Sequence, residues 1–118
     1  MLVSYMVNLG YKEDDIDYII NSYIVGSYSE ETLYEKMKVN FEFLLDLGYS
    51  CENIINMTRR FPRLCVIDIN YFEEKIIDLE KLGYVKKDIL KMFKMMPSLY
   101  TYDIEIIVKK INNILSLG

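Results

Sequence analysis

The chain has 118 residues, 52% of them apolar, which is the size of one domain with material for a continuous core and argues against disorder. Its 14 basic and 18 acidic side chains leave a net charge of −4, and there is no histidine, which excludes Ser-His-Asp and Cys-His chemistry and the commonest metal ligand together. Two cysteines, Cys51 and Cys65, build neither a disulfide framework nor a zinc site and read as small buried residues of a reducing compartment.

Residues 1–9 read as the tail of a helix that closes on Gly10. Tyr11 to Tyr23 is a helix with Glu13, Asp14 and Asp15 in its opening turn, where negative charge suits the unpaired amides. Ile24-Val25-Gly26 breaks it, and Ser27-Tyr28-Ser29 supplies a cap for a helix from about Glu30 to Asp46. Ser50 caps a helix to about Arg60, which ends before Pro62 because proline lacks an amide hydrogen and disfavours helical backbone in the residue before it. Asp68 or Asn70 caps the next helix, ending near Lys81, and Asn70 with Glu73 has the spacing of a capping box. Val85 to Met95 and Asp103 to Ser116 repeat the scheme around Pro97, with Asp103 at the offset of Asp68.

The scheme is a repeat. Leu9-Gly10-Tyr11, Leu47-Gly48-Tyr49 and Leu82-Gly83-Tyr84 are followed by a final Leu117-Gly118, at intervals of 38, 35 and 35 residues. Six places after the glycines stand Ile16, Ile54 and Ile89; nine after, Ile19, Met57 and Met92; ten after, Ile20, Thr58 and Phe93; thirteen after, Tyr23, Phe61 and Met96. These offsets trace one face of a helix. Counting back from the next glycine gives a second stripe: Tyr34, Ile69, Ile104; Met37, Phe72, Ile107; Phe41, Ile76, Ile111; Leu44, Leu79, Ile114; Leu47, Leu82, Leu117. The expected fold is all-α, a helical-repeat solenoid of about three paired-helix units at 10–47, 48–82 and 83–118 within a single domain over 1–118. The last Leu-Gly opens a further unit, as in a piece of a longer array. Each glycine is read as the left-handed residue that ends a helix.

A Leu-Gly start, an apolar helix closed by Pro-x-Leu and a longer helix to the next Leu-Gly resembles the mitochondrial transcription termination factor (mTERF) repeat. The residues that carry the resemblance are Leu47-Gly48-Tyr49 with Pro62-Arg63-Leu64 and Leu82-Gly83-Tyr84 with Pro97-Ser98-Leu99. The resemblance implies a curved superhelix that binds double-stranded DNA, or in some members RNA, in a basic groove. The net charge departs from that pattern, and three arginines against eleven lysines favour phosphate contact over bidentate base reading.

Charge is nevertheless graded along the chain. Residues 1–47 hold three lysines against nine acids, and residues 83–118 hold six lysines against three acids. Eleven places after the glycines stand Asn21, Arg59 and Lys94; eight before the next stand Asn40, Lys75 and Lys110. Equal offsets stack into columns in a solenoid, so both columns grow basic toward the C-terminal end, although solvated helix faces account for such charges as well. The candidate phosphate-binding residues are Arg59, Arg60, Arg63, Lys75, Lys87, Lys91, Lys94, Lys109 and Lys110. The alternative is an acidic protein-interaction module, or an inhibitor of a nucleic-acid-processing protein, in which Asp14, Asp15, Glu30 and Glu31 meet a basic partner.

Tyr11, Tyr49 and Tyr84 read as packing between units rather than as base-stacking platforms. Paired acids at Asp14-Asp15, Glu30-Glu31 and Glu73-Glu74 fall on helix starts, and the five glycines form no phosphate loop. An enzyme, a cofactor and a metal are therefore not expected. No apolar run approaches the roughly 18 residues of a membrane span, and no secretory or basic leader is visible, so the expected location is cytoplasmic.

Overall fold

The computed structural model describes residues 1–22 and 25–117, with side chains through 113. Tyr23 and Ile24, the side chains of Ile114 and Leu117, and Gly118, all assigned places in the repeat, lie outside the described residues. Among the described residues the regular structure is helical throughout: α1 Leu2–Leu9, α2 Glu13–Ile20, α3 Glu30–Asp46, α4 Cys51–Arg60, α5 Ile69–Lys81, α6 Lys86–Met95 and α7 Ile104–Leu117. Short 3-10 turns at Val25–Ser27, Pro62–Val66 and Leu99–Thr101 stand between α2 and α3, α4 and α5, and α6 and α7. A helix, a 3-10 turn and a second helix thus recur three times, and the tight turn occupies the Pro-x-Leu position even in the copy that has no proline.

Leu-Gly-Tyr recurs because it closes a helix in one particular way. Gly10, Gly48 and Gly83 have φ of 111°, 111° and 101°, the left-handed backbone that a side chain strains. The glycine amide then donates to the carbonyl three residues back, and the tyrosine amide to the carbonyl five back, on Met6, Leu44 and Leu79. This double bond pattern is the Schellman motif, which is completed by an apolar contact between the residue after the glycine and the last helical turn. Tyr11 and Tyr49 are buried accordingly, as are Met6, Leu44 and Leu79.

The chain divides into two compact units, Met1–Ile67 and Asp68–Gly118. The glycine-to-glycine repeat and these packing groups are different divisions of the same residues. In the first unit α3 and α4 both pack on the Pro62–Val66 turn, and α1 and α2 complete the unit through α3 and α4 respectively. Met37, Phe41, Leu44, Ile54 and Leu64 converge there on a void of only about 10 Å³, so this centre of the unit is closely filled. In the second unit α5 packs on α6 and α7. Phe72 is its pivot: its ring meets Phe93 and Tyr100, each with centroids 5.1 Å away.

Helix starts follow the sequence closely. Ser29 accepts the Thr32 amide at the head of α3, and Ser50 with Asn53 forms a reciprocal capping box at the head of α4. The α5 cap is Asp68, whose carboxylate accepts the Asn70 amide. Asn70 itself lies inside the helix, so no Asn70-Glu73 box forms. The first helix of the repeat is shorter than Tyr11 to Tyr23, because Tyr11 belongs to the Schellman turn and Lys12 takes the cap position.

The first stripe is buried at Ile16, Ile19, Ile54, Met57, Thr58, Ile89, Met92 and Phe93, while Ile20, Phe61 and Met96 are half-buried. The second stripe is buried at its centre, Met37, Phe72, Ile107, Phe41, Ile76 and Ile111, and half-buried at Tyr34, Ile69 and Ile104. Leu82 departs from it and is 57% exposed. Cys65 is buried as expected, and burial pushes its thiol up to about 12. Cys51 is half-buried and donates its thiol to the Leu9 carbonyl.

Candidate nucleic-acid interface

All three arginines fall within five residues of one another, at the end of α4 and on the turn that follows. Arg59 and Arg60 are exposed in the last turn of α4, where positive charge complements the unpaired carbonyls, and Arg63 is exposed on the 3-10 turn. The Arg60 Nε lies 3.4 Å from the Asn56 carbonyl, which directs this side chain back along its own helix.

In the second unit, Lys87, Lys91 and Lys94 recur at i, i+4 and i+7 on α6, on the side opposite the buried Ile89, Met92 and Phe93. Lys87 and Lys91 are exposed and Lys94 is half-buried. Lys91 also borders a cleft of about 320 Å³ between α6 and α7, lined by Tyr84, Asp88, Ile89, Met92, Met95 and Ile111. The Tyr84 hydroxyl reaches across toward the Asn112 Oδ1 at 3.4 Å. On α7, Lys109 is exposed and Lys110 half-buried, with the Lys110 ammonium 4.8 Å from the centre of the Tyr102 ring.

Lys75 has a different environment. It is only 9% exposed, its ammonium donates to the Tyr102 carbonyl at 2.7 Å, and it lies 5.1 Å from the centre of the Tyr71 ring. Its counterpart eight places before Gly48 is Asn40, 4% exposed, whose amide donates to the carbonyls of Leu64 at 3.3 Å, Cys65 at 2.9 Å and Ile67 at 3.1 Å. Both donors reach 27 residues ahead, to the end of the next 3-10 turn. The turn carbonyls have no ladder partner, and this column provides one. Asn40 and Lys75 therefore hold the repeat together, and the charge of Lys75 is committed to the fold.

Of the nine candidate residues, Arg59, Arg60 and Arg63 lie in the first unit, at the end of α4 and on the turn that follows. In the second unit the structure brings Lys87, Lys91 and Lys94 onto one helix face, with Lys109 and Lys110 on α7. The acids Glu13, Asp14, Glu30 and Glu31 are exposed on the opening turns of α2 and α3, and Asp15 is half-buried. Tyr11 and Tyr49 are interior residues whose hydroxyls burial pushes above the ordinary tyrosine range, and the Tyr11 hydroxyl pairs with Thr58 Oγ1 at 2.7 Å. Sequence reasoning passed over Tyr71 and Tyr102, which present partly exposed rings beside lysine ammonium groups. The Tyr71–Lys75 spacing of i, i+4 on α5 is readable in the sequence, whereas the meeting of Lys75 with Tyr102 is not.

Comparison with curated proteins and with solved structures gives no match. Comparison with protein-family models does, and the region matched coincides with all three helix–turn–helix copies and the helix before them. The mTERF family model spans residues 1–118, and the chain belongs to the mTERF family.

Proposed function

We propose that this protein binds nucleic acid without catalysing a reaction, holding phosphates with basic groups of α4, of the turn that follows it, and of α6 and α7. The observation that carries this reading is the lysine face of α6, three cations at helical spacing directed away from the buried stripe in a chain of net negative charge. Membership of the mTERF family supports it. The phosphate-binding residues are Arg59, Arg60 and Arg63 in one unit and Lys87, Lys91, Lys94, Lys109 and Lys110 in the other. Lys75 is left out because its ammonium is bonded to a backbone carbonyl. The predominance of lysine suits a point-charge grip on phosphate with little base reading.

Titration of a fluorescent duplex and of its separated strands at several salt concentrations tests the proposal. Log affinity falls linearly with log salt, and Lys87→Gln with Lys91→Gln lowers the magnitude of the slope by about 0.9 for each duplex phosphate no longer neutralised, or about 0.7 on a single strand. No binding of duplex or single strands at low salt would remove the proposal. The second reading, docking of a basic protein on unit 1, is favoured by the exposed acids of α2 and α3, and the same experiment then shows no nucleic-acid binding.

A further inference from the structure

In the second unit, three tyrosines and two lysines form one connected chain of contacts, with Lys75 joining Tyr102 through its backbone carbonyl. Tyr100 meets Tyr71 edge to face with centroids 6.3 Å apart, and Tyr71 carries the Lys75 ammonium over its ring. Lys75 donates onward to the Tyr102 carbonyl, and Tyr102 carries the Lys110 ammonium over its ring. Tyr100 is buried and anchors the series, whereas Tyr71 and Tyr102 keep 40% and 36% of their surface in solvent. The hydrogen bond of the buried Lys75 fixes the backbone at Tyr102 relative to α5, so both rings stand on a rigid base.

From this arrangement we infer that Tyr71 and Tyr102 form a stacking platform for unpaired bases, and that the strand bound beside α5 and α7 is single-stranded nucleic acid. The inference rests on the nucleic-acid reading above and specifies its substrate class. Paired bases offer their faces only to neighbouring pairs, so an exposed tyrosine ring finds a partner only where bases are unpaired. The Lys110 ammonium over the Tyr102 ring strengthens the site in two ways. It polarises the ring, and it places positive charge where the phosphate joining two stacked nucleotides would pass. Lys110, half-buried with its ammonium over the Tyr102 ring, holds the phosphate here.

The test uses the full chain with end-labelled oligothymidine, oligouridine and a hairpin duplex as probes. Tyr71→Leu and Tyr102→Leu each weaken binding of the single strands by about 5- to 100-fold and leave the salt slope unchanged, because stacking is not ionic. Tyr71→Phe and Tyr102→Phe keep the ring and retain wild-type affinity within about twofold, and duplex binding is insensitive to all four. Lys110→Gln lowers the salt slope. In the wild-type chain, 2-aminopurine placed in the strand is quenched on binding, a readout that does not depend on how the leucine variants fold. Folded leucine variants with unchanged affinity, or an unquenched probe in the wild-type complex, overturn the platform while Lys87 and Lys91 still govern phosphate binding. Loss of all binding to every probe in the wild-type chain removes the platform and the nucleic-acid reading together.

Discussion

Asn40 illustrates how a single polar side chain in this protein is tied to backbone rather than to solvent. Its amide spans three carbonyls at the end of the Pro62–Val66 turn from within the buried face of α3. Asn40→Leu fills a similar volume but leaves those carbonyls without a donor, and an unpaired buried polar group costs about 1–3 kcal/mol. A urea titration of the variant should show its midpoint falling with the slope unchanged, as expected for a loss of stability without a change in exposed surface. A midpoint equal to that of the wild type would mean the carbonyls find another donor. Asn40→Asp should be at least as damaging, since a carboxylate faces three acceptors. At the matching position Lys75 does the same work with a longer side chain and one carbonyl. A charge column in the sequence is thus a structural column in two of its three places.

The helix starts differ in quality at the scale of the element: two residues after their glycines, Lys12 and Val85 make no side-chain cap bond where Ser50 does. Ser50 caps α4 through a reciprocal box, whereas Val85, at the same offset before α6, makes no side-chain cap bond and is 62% exposed. Val85→Ser should therefore stabilise the chain by about 1 kcal/mol, by supplying an oxygen for the opening amides of α6. Ser50→Ala should cost about the same. Thermal unfolding followed by circular dichroism gives both shifts, and a Val85→Ser variant melting below the wild type would contradict the equivalence of the two positions. Val85 flanks the lysine face of α6 without belonging to it, so this substitution leaves the proposed phosphate-binding residues intact.

Burial of weak acids gives the whole molecule a defined response to alkali. The Cys65 thiol is pushed from an ordinary 9.0 up to about 12, and Tyr5, Tyr11 and Tyr49 are all raised, chiefly by burial. A raised folded-state value means that the unfolded chain loses its proton first as pH rises. The contribution is fully present below pH 9, falls between about 9 and 12 for Cys65, and for the tyrosines falls above 10. The free energy of unfolding should accordingly be level through neutral pH and decline steeply above about pH 9, and Cys65→Ala should delay the onset toward the tyrosine range. A decline that begins at the same pH in Cys65→Ala would show that the thiol is not the first group to act.

The amino-acid sequence by itself determined that the chain is helical, where most helices begin and end, and that Leu-Gly-Tyr closes them. These depend on interactions a few residues long: an amide capped by Ser50, a proline without an amide hydrogen at Pro62, a glycine at φ 111°. Arg59, Arg60 and the α6 lysine face were legible for the same reason, since they are placed by helical spacing, whereas Arg63 stands on the turn after Pro62. Only the tertiary structure decided that Asn40 and Lys75 turn inward to carbonyls 27 residues away, that α3 and α4 close on one turn, and that Tyr71 and Tyr102 share Lys75. Periodicity says which residues share a face; whether a polar member of that face meets water or a carbonyl depends on where a distant turn ends, and that is settled by packing.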